Sequence, residues 1–375
     1  MEGDDDADAR AWRAVGDWYH AAFTGLILAT IVHRGTPVAA ELVYRVFARQ
    51  REVRFLDGLR KLGIDALPHA VAAAQYHYLS NDVGGVAVEY VPETDRKAWV
   101  RYVPPRWIWA GTALCAVPDA ITEAMLRGWH AQNGVSLGNP RLGFVCTKTT
   151  TAGDAALEGY YLEHDRPLAP HERLRFARDE DGPPFDPAKA PVLASASWPA
   201  RRLAKARRNY AMEYLRTALP IATEVLGEAD LHGLLRVAMR QVGMQHHRDA
   251  AAALGLPAGG DAAAFADFLA AMVRGQGDRA TVVGSGARVD GQGARIDGTV
   301  DAARAGGTPS DAAVVVEQSG PRLLDGVVAG RDAAIAAWSG LWEGALASHD
   351  RRLRLHARAC GTADGSGMTW TVGAA

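Results

Sequence analysis

The residues best suited to chemistry lie in the first half of the chain. His69, Ala73, Tyr76, His77 and Ser80 follow helical spacing and share one stripe. His69 and His77 stand two turns apart, about 12 Å along a helix axis. That is too far to hold one metal without outside ligands, because helical metal pairs use one-turn spacing. A histidine between Tyr76 and Tyr78 suits acid–base work or substrate binding; a hydrogen-bonded core histidine is the plainer alternative. His130 follows Trp129 near the end of an expected helix, where an imidazolium is favoured by the helix dipole, and it is a second acid–base candidate. Cys115 lies in Ala110-Gly-Thr-Ala-Leu-Cys-Ala-Val-Pro118, just before an expected helix start. Such a position can favour the thiolate; a buried loop cysteine is the alternative. Gly153-Asp154 closes an expected hairpin, as ordinary turn chemistry or as a carboxylate at a pocket rim.

The expected catalytic set is therefore His77, Cys115, His130 and Asp154. Trp99, Trp107 and Trp109 stand beside Arg101 and Arg106. That mixture fits a sheet face, or a pocket for a small, partly planar, acidic ligand. Tyr76, Arg106, Trp107 and Arg141 are the expected substrate-binding residues. No phosphate loop, dinucleotide fingerprint, serine elbow or metal motif occurs, so neither a cofactor nor a metal is expected.

The elements that must position these residues read as follows. One helix covers about Ala9 to His33. A second starts at Thr36-Pro37, an N-cap followed by proline at the first helical position, and stops at Gly63. Asp65 caps a third helix that runs to about Asn81. Val86 to Val91 and Lys97 to Val103 alternate around Pro-Glu-Thr-Asp and form a hairpin. Pro118 opens a fourth helix. Arg141 to Lys148 and Ala155 to Glu163 form a second hairpin. His164 to Pro199 is rich in Pro, Asp and Glu and reads as a linker.

The same order then recurs. Thr24-Gly-Leu-Ile-Leu-Ala-Thr-Ile-Val32 resembles Thr217-Ala-Leu-Pro-Ile-Ala-Thr-Glu-Val225. Arg45-Val-Phe-Ala-Arg-Gln50 resembles Arg236-Val-Ala-Met-Arg-Gln241. Leu62-Gly63 answers Leu254-Gly255, and the offset moves only from 193 to 191 to 192. The second half then carries strands near Thr281 to Ile296 and Ala312 to Glu317, a helix near Arg331 to Ser348 and a last hairpin. The expected fold is α+β, a tandem duplication of a module with three N-terminal helices followed by antiparallel β-hairpins and one further helix. The divisions are a first copy at 1–163, a linker at 164–199 and a degenerate second copy at 200–375. By this alignment Cys146 matches Cys360 and His130 faces Glu343. The stretch Phe268-Leu-Ala-Ala-Met272, opposite His77, holds no histidine or tyrosine. The adjacent His246 and His247 point in different directions on a helix and are expected at the surface or partly buried.

Composition sets outer limits. The chain has 375 residues, 48% hydrophobic content and a net charge of -2, which suits two packed domains. Lys+Arg 41 against Asp+Glu 43 leaves no excess for nucleic acid or an anionic membrane. Three cysteines make no disulfide framework and suit a reducing, cytoplasmic setting. The apolar run Phe23 to Val32 is short for a bilayer. The Ala, Gly, Arg and Asp bias points to a GC-rich bacterial genome. A small-molecule substrate is the expected partner, with a homodimer as the open oligomeric alternative.

The stretch Leu142-Gly-Phe-Val-Cys-Thr-Lys-Thr-Thr-Thr-Ala-Gly-Asp154, followed by Ala-Ala-Leu-Glu-Gly-Tyr-Tyr161, resembles the L-2-amino-thiazoline-4-carboxylic acid hydrolase-like family. The resemblance covers roughly residues 20 to 163. It departs where a cysteine is expected after Gly-Asp, since Leu157 stands there. It implies a hydrolase acting on a non-peptide C–N bond of a small heterocycle or amide. A non-catalytic small-molecule sensor and a metal-dependent hydrolase or lyase, with His77 and His130 joined by Glu123 or Asp154, are the other function classes.

Overall fold

The computed structural model describes residues 2–106, 108–284, 288–289, 295–296, 313–362 and 365–374. The chain is α+β and divides into two compact units, Ile27–Ala206 and Arg207–Ala375, the latter joined by Met1–Leu26.

The Ile27–Ala206 unit begins with the end of α1 (Glu2–Arg34). It continues through α2 (Thr36–Leu62), α3 (His69–Gly84), the hairpin β1 (Val88–Thr94) and β2 (Lys97–Tyr102), α4 (Asp119–Gly128) and the short α5 (Asn133–Ser136). The hairpin β3 (Leu142–Lys148) and β4 (Leu157–Glu163) follows, and then β5 (Leu174–Phe176). The sheet order is β1-β2-β4-β3-β5, antiparallel except for the parallel pair β3/β5. In α2 the buried residues Ala39, Leu42, Val43, Val46 and Phe47 recur at helical spacing and form one apolar stripe. Helix α4 crosses α2 closely because Gly128 has no Cβ. An added Cβ would strike the Tyr44 carbonyl and the Ala48 amide.

The Arg207–Ala375 unit takes most of α6 (Ala200–Leu226), then α7 (Glu228–Asp230), a π turn at Leu231–Leu235, α8 (Arg236–Leu254) and α9 (Ala262–Gln276). Its strands are β6 (Arg279–Val283), β7 (Arg288–Val289), β8 (Arg295–Ile296), β9 (Val314–Ser319), β10 (Leu353–Thr362) and β11 (Gly365–Ala374), with α10 (Arg331–His349) before the last hairpin. The sheet order is β10-β11-β9-β6-β7-β8. From α1 it buries Val15, Trp18, Tyr19, Ala22, Phe23 and Leu26. Trp18 stacks on Trp342, and Tyr19 accepts a hydrogen bond from the Trp338 indole at 3.0 Å.

This division differs from boundaries at 163 and 200 in two ways. The first 26 residues pack with the C-terminal unit, because their aromatic stripe meets Trp338 and Trp342. The 164–199 segment carries β5, whose Leu174 pairs with Phe144, so part of the expected linker belongs to the sheet. Residues Ala7–Arg34 form a helix long and apolar enough by composition to cross a membrane, but 61% of its most apolar 18-residue stretch is buried within the protein.

Local geometry recurs between the units, and the glycines at the helix ends do so at one spacing, 192 residues. Gly35 and Gly227 precede helices with φ/ψ of 83/164 and 84/161. Gly63 and Gly255 end helices at 70/29 and 70/27. Gly85 and Gly277 end α3 and α9 at 81/21 and 93/15. In the sheets the row Val91–Trp99–Tyr160–Val145 matches Val283–Val315–Thr371–His356. Gly128 meets Tyr44 and Phe47, and Gly340 meets Arg236 and Met239; the partners are again 192 apart and the glycines 212. The Leu-Gly pairs obey this register. The Thr24 and Arg45 blocks, aligned at 193 and 191, each fall one residue out of it.

Candidate functional site

His77 sits on α3, whose alanines Ala70, Ala72, Ala73 and Ala74 let the helix lie close against the sheet. His130 starts a 3-10 turn, His130–Gln132, directly after Trp129 ends α4. The two imidazoles stack with centroids 4.2 Å apart and planes 9° from parallel. Tyr161 of β4 lies parallel to both rings, at 5.9 Å from His77 and 6.0 Å from His130. Tyr102 of β2 meets both at a steep angle. Trp129 packs against His77, and Phe144 against His130. Tyr76, also on α3, stacks on Trp129 and edges onto Phe55.

Hydrogen bonds order this aromatic cluster. The Tyr102 hydroxyl lies 2.9 Å from His130 Nε2. Asn133 Nδ2 donates to the Tyr161 hydroxyl at 2.8 Å and lies 3.3 Å from His77 Nε2. His77 is 3% exposed, His130 5% and Asn133 0%. Burial pushes the pKa of His77 down to about 3. Burial does the same to His130, helped by its neighbours His77 and Arg106. Both rings are therefore neutral at pH 7. A neutral imidazole can accept a proton at one nitrogen and donate at the other. The stacked rings do not suit a shared metal, since in-plane lone pairs of parallel rings do not converge. Among the described residues no group of three or more His, Cys, Asp or Glu side chains is arranged to hold a metal ion.

The other expected residues fall into separate places. Arg106 lies over the Tyr102 ring at 4.9 Å and acts electrostatically on His130, so it borders the cluster. Trp107 lies outside the described residues. Trp99 packs with Val145 and Tyr160, apart from the histidines. Arg101 is committed to ion pairs with Glu89 and Glu158. Arg141 is half-exposed and pairs with Glu163. Glu123 pairs with Arg127. Cys115 is exposed, inside the 3-10 turn Gly111–Ala116 rather than at the start of α4.

Asp154 belongs to a polar clamp. It accepts from the Thr149 amide at 2.7 Å and faces Arg178 at 3.7 Å. Thr149 and Thr151 each donate to Asp119 at 2.7 Å, and Arg178 donates to Asp119 at 2.8 Å. Burial works against the Asp119 carboxylate, but the Thr151, Thr149 and Arg178 contacts outweigh it and hold its pKa below the usual range. The clamp accounts for the Thr-rich stretch as a fastening of the β3–β4 turn to α4 and the segment after β5. Cys146 next to it is buried, and burial pushes its thiol up to about 12, which removes it as a nucleophile.

Sequence spacing picks out His77, His130, Tyr76 and Arg106 from this cluster but not Tyr102, Asn133 or Tyr161. Tyr102 and Tyr161 sit at inward positions of alternating strands, a signal present in the sequence. Asn133 has none beyond following His130 by three residues. Matching the elements of the two units gives each a counterpart, 192 residues on from α3, 212 on from α4 and α5, 211 on from β4 and 216 on from β2. His77 answers Leu269, His130 answers Trp342, Asn133 answers Ala345, Tyr161 answers Val372 and Tyr102 answers Gln318. Two pairings of the sequence alignment change. His130 faces Trp342 rather than Glu343, and Cys146 faces Ala357 rather than Cys360. No family model, curated protein or solved structure matches the chain.

Proposed function

We propose that the chain is a hydrolase of a non-peptide C–N bond in a small heterocycle or amide, working at His77 and His130. We also propose that it arose by tandem duplication of one α+β module. The single observation behind the functional reading is the exchange of buried side chains between matching positions. The Arg207–Ala375 unit fills four of the five with Leu269, Trp342, Ala345 and Val372, and orders its four equivalent strands alike, β6-β9-β11-β10 against β1-β2-β4-β3. Burying polar groups costs free energy that an apolar core avoids. Since the fold is met without them, His77, His130, Asn133 and Tyr161 have a use other than folding.

The chemistry follows from neutral imidazoles. Water attacks the acyl carbon, and its proton passes to the unprotonated nitrogen of His77, which gives up its long contact with Asn133 where that nitrogen is Nε2. Charge developing on the carbonyl oxygen meets the His130 N–H. The C–N bond then breaks, and the proton leaves His77 with the departing nitrogen. The products are a carboxylic acid and an amine. The scheme uses neither Cys115 nor Asp154.

The test is amine or ammonia release from a panel of amides and heterocycles by the full chain. His77→Leu installs the residue of the other module, so folding should persist while turnover falls by about 100-fold or more. Unchanged turnover would remove His77 from the scheme. Near-complete burial of both rings favours a second reading, a non-catalytic small-molecule binder. Ligand binding by calorimetry with no product after hours would select it.

A further inference from the structure

One sheet edge is covered in the first unit and open at the matching place in the second. In the Ile27–Ala206 unit β3 takes β5 alongside it in parallel, with Phe144 beside Leu174, Val145 beside Arg175 and Cys146 beside Phe176. The Phe144 amide donates to the Arg173 carbonyl at 2.8 Å, and the Ala177 amide donates to the Cys146 carbonyl at 3.0 Å. The acidic stretch after β5 then ties down the strand, since Lys148 pairs with Asp181 at 2.9 Å. In the Arg207–Ala375 unit β10 matches β3, because Leu355 faces Val372 as Phe144 faces Tyr161, each 211 residues on. Yet β10 ends its sheet, and among the described residues no strand lies on its outer side. Arg354, His356, Ala357, Arg358 and Ala359 are exposed, and Leu353 and Leu355 are half-buried.

We propose that the open edge of β10 binds an extended acidic peptide of a partner protein, added to the sheet as a parallel strand in the place that β5 takes beside β3. An unpaired edge presents backbone amides and carbonyls that another strand can satisfy. The atoms matching those used by β3 are the Leu355 amide and the Ala357 carbonyl. Charge selects the strand. Residues two apart share a face, so Arg354, His356 and Arg358 line the face on which β3 carries Val145. The middle residue of the added strand stands beside His356, as Arg175 stands beside Val145, and a carboxylate there is flanked by two guanidinium groups. No ion pair already neutralises Arg354 or Arg358 among the described residues. Arg358 also holds the place of Lys148, opposite Thr369 as Lys148 is opposite Glu158, so it suits an acid that follows the strand. On the other face Leu355 offers apolar surface, as Phe144 does to Leu174. The same charges disfavour a second copy of this chain. Pairing β10 with itself about a twofold axis at His356 would set Arg354 of each copy against Arg358 of the other. The β5 of a second copy would bring Arg175 to the same arginines.

The experiment is fluorescence anisotropy on the full chain with labelled peptides built on residues 172–182, the segment that fills this place in the first unit. One peptide carries Arg175→Glu and Arg178→Glu, a second keeps both arginines, and a third adds Ala177→Pro to the first. The acidic peptide should bind and slow hydrogen exchange of the Leu355 amide. The arginine peptide should bind about tenfold or more weakly, because like charges meet. The proline peptide should lose as much, because it lacks the N–H from which the Ala357 carbonyl accepts. Arg354→Glu with Arg358→Glu should reverse the order of the first two peptides. Comparison of the three peptides on the unaltered protein keeps the test independent of how that variant folds. No binding of the acidic peptide at about millimolar concentration overturns the proposal and leaves the arginines as guards of a bare edge. Equal binding of the proline peptide, or binding that leaves Leu355 exchange unchanged, overturns it in favour of plain charge attraction. Tighter binding of a single-stranded DNA oligonucleotide, lost in the double variant, overturns it in favour of nucleic acid. A dimer of the unaltered chain that the double variant breaks overturns it in favour of a second copy.

Discussion

The two units solve one packing problem with different buried polar groups. In Ile27–Ala206 the histidines are His77 and His130, and the matching places in the other unit hold Leu269 and Trp342. In Arg207–Ala375 they are His247 and His349, and the matching places hold Phe55 and Leu137. His247 is fully buried, against the surface or half-buried position its spacing suggests. It meets Phe268 edge-on at 4.8 Å and 85°, as Phe55 meets Tyr76 at 5.0 Å and 84°. The C-terminal unit is therefore not without buried histidines. Each unit carries its own pair, placed where its counterpart is apolar. Only the first pair stacks in parallel and lies within a hydrogen-bonded ring of tyrosines and an asparagine.

The comparison depends on the register, and steric substitution attacks the register most strongly. Gly128→Val should drive a side chain into the Tyr44 carbonyl, and Gly340→Val into that of Arg236. Each should cost its own unit about 3 kcal/mol. Hydrogen exchange read separately over 27–206 and 207–375 would show which unit is weakened. If Gly128→Val leaves protection of the first unit intact, the close α2–α4 approach and the Gly128/Gly340 equivalence both fail.

Acid should test both histidine pairs at once. Burial lowers His77 and His20 to about 3 and His247 to about 4, the last also pressed by His349 and Arg248. Unfolded histidine takes up a proton near pH 6.5, while these folded rings refuse it until far lower. The unfolded chain then binds more protons, so stability is full above about 6.5 and falls as pH drops toward 3 to 4. Each such histidine costs about 1.4 kcal/mol per pH unit inside that window. Urea midpoints at pH 7.5, 5.5 and 4.5 would measure the slope. His77→Leu should remove one proton's share of it, and an unchanged slope would mean that His77 titrates normally in the fold.

How much of this is readable in the sequence depends on the range of the signal. Helix ends at Gly63 and Gly255, the β1–β2 and β3–β4 hairpins and α10 follow from local rules, and the α+β class follows from their order. His77 and Tyr76 stand out because helical spacing puts them on one stripe. The register is harder. Alanine-rich helices match one another at several offsets, so Thr24 and Arg45 find partners one residue away from the structural ones. Cys146 and Cys360 match only as cysteines near the end of a strand, 214 apart, whereas the strand register pairs positions 211 apart and sets Cys146 opposite Ala357. Burial alone, without any counterpart, is what makes the Cys146 thiol unreactive. The strand Leu174–Phe176 is three residues long, too short to alternate visibly, and it stands because β3 offers it an edge. Asn133 joins the site only through the meeting of α5 with α3 and β4, which no single segment encodes.

The smallest effect probes the second pair. All four ring nitrogens of His247 and His349 are buried without a well-formed hydrogen bond, though His349 faces the Asp261 backbone. Polar atoms in that condition cost stability. His247→Phe installs the residue of the first unit into a geometry that already accommodates a ring edge-on to Phe268. It should stabilise the Arg207–Ala375 unit by about 1 kcal/mol, read as a raised urea midpoint at pH 7.5, and leave turnover untouched. The matching exchange in the other direction, Phe55→His, should destabilise, because it buries ring nitrogens where Phe55 buries only carbon. If His247→Phe instead weakens the protein, the imidazole has a favourable partner in solution, and the second unit's pair would have to be counted as a site in its own right.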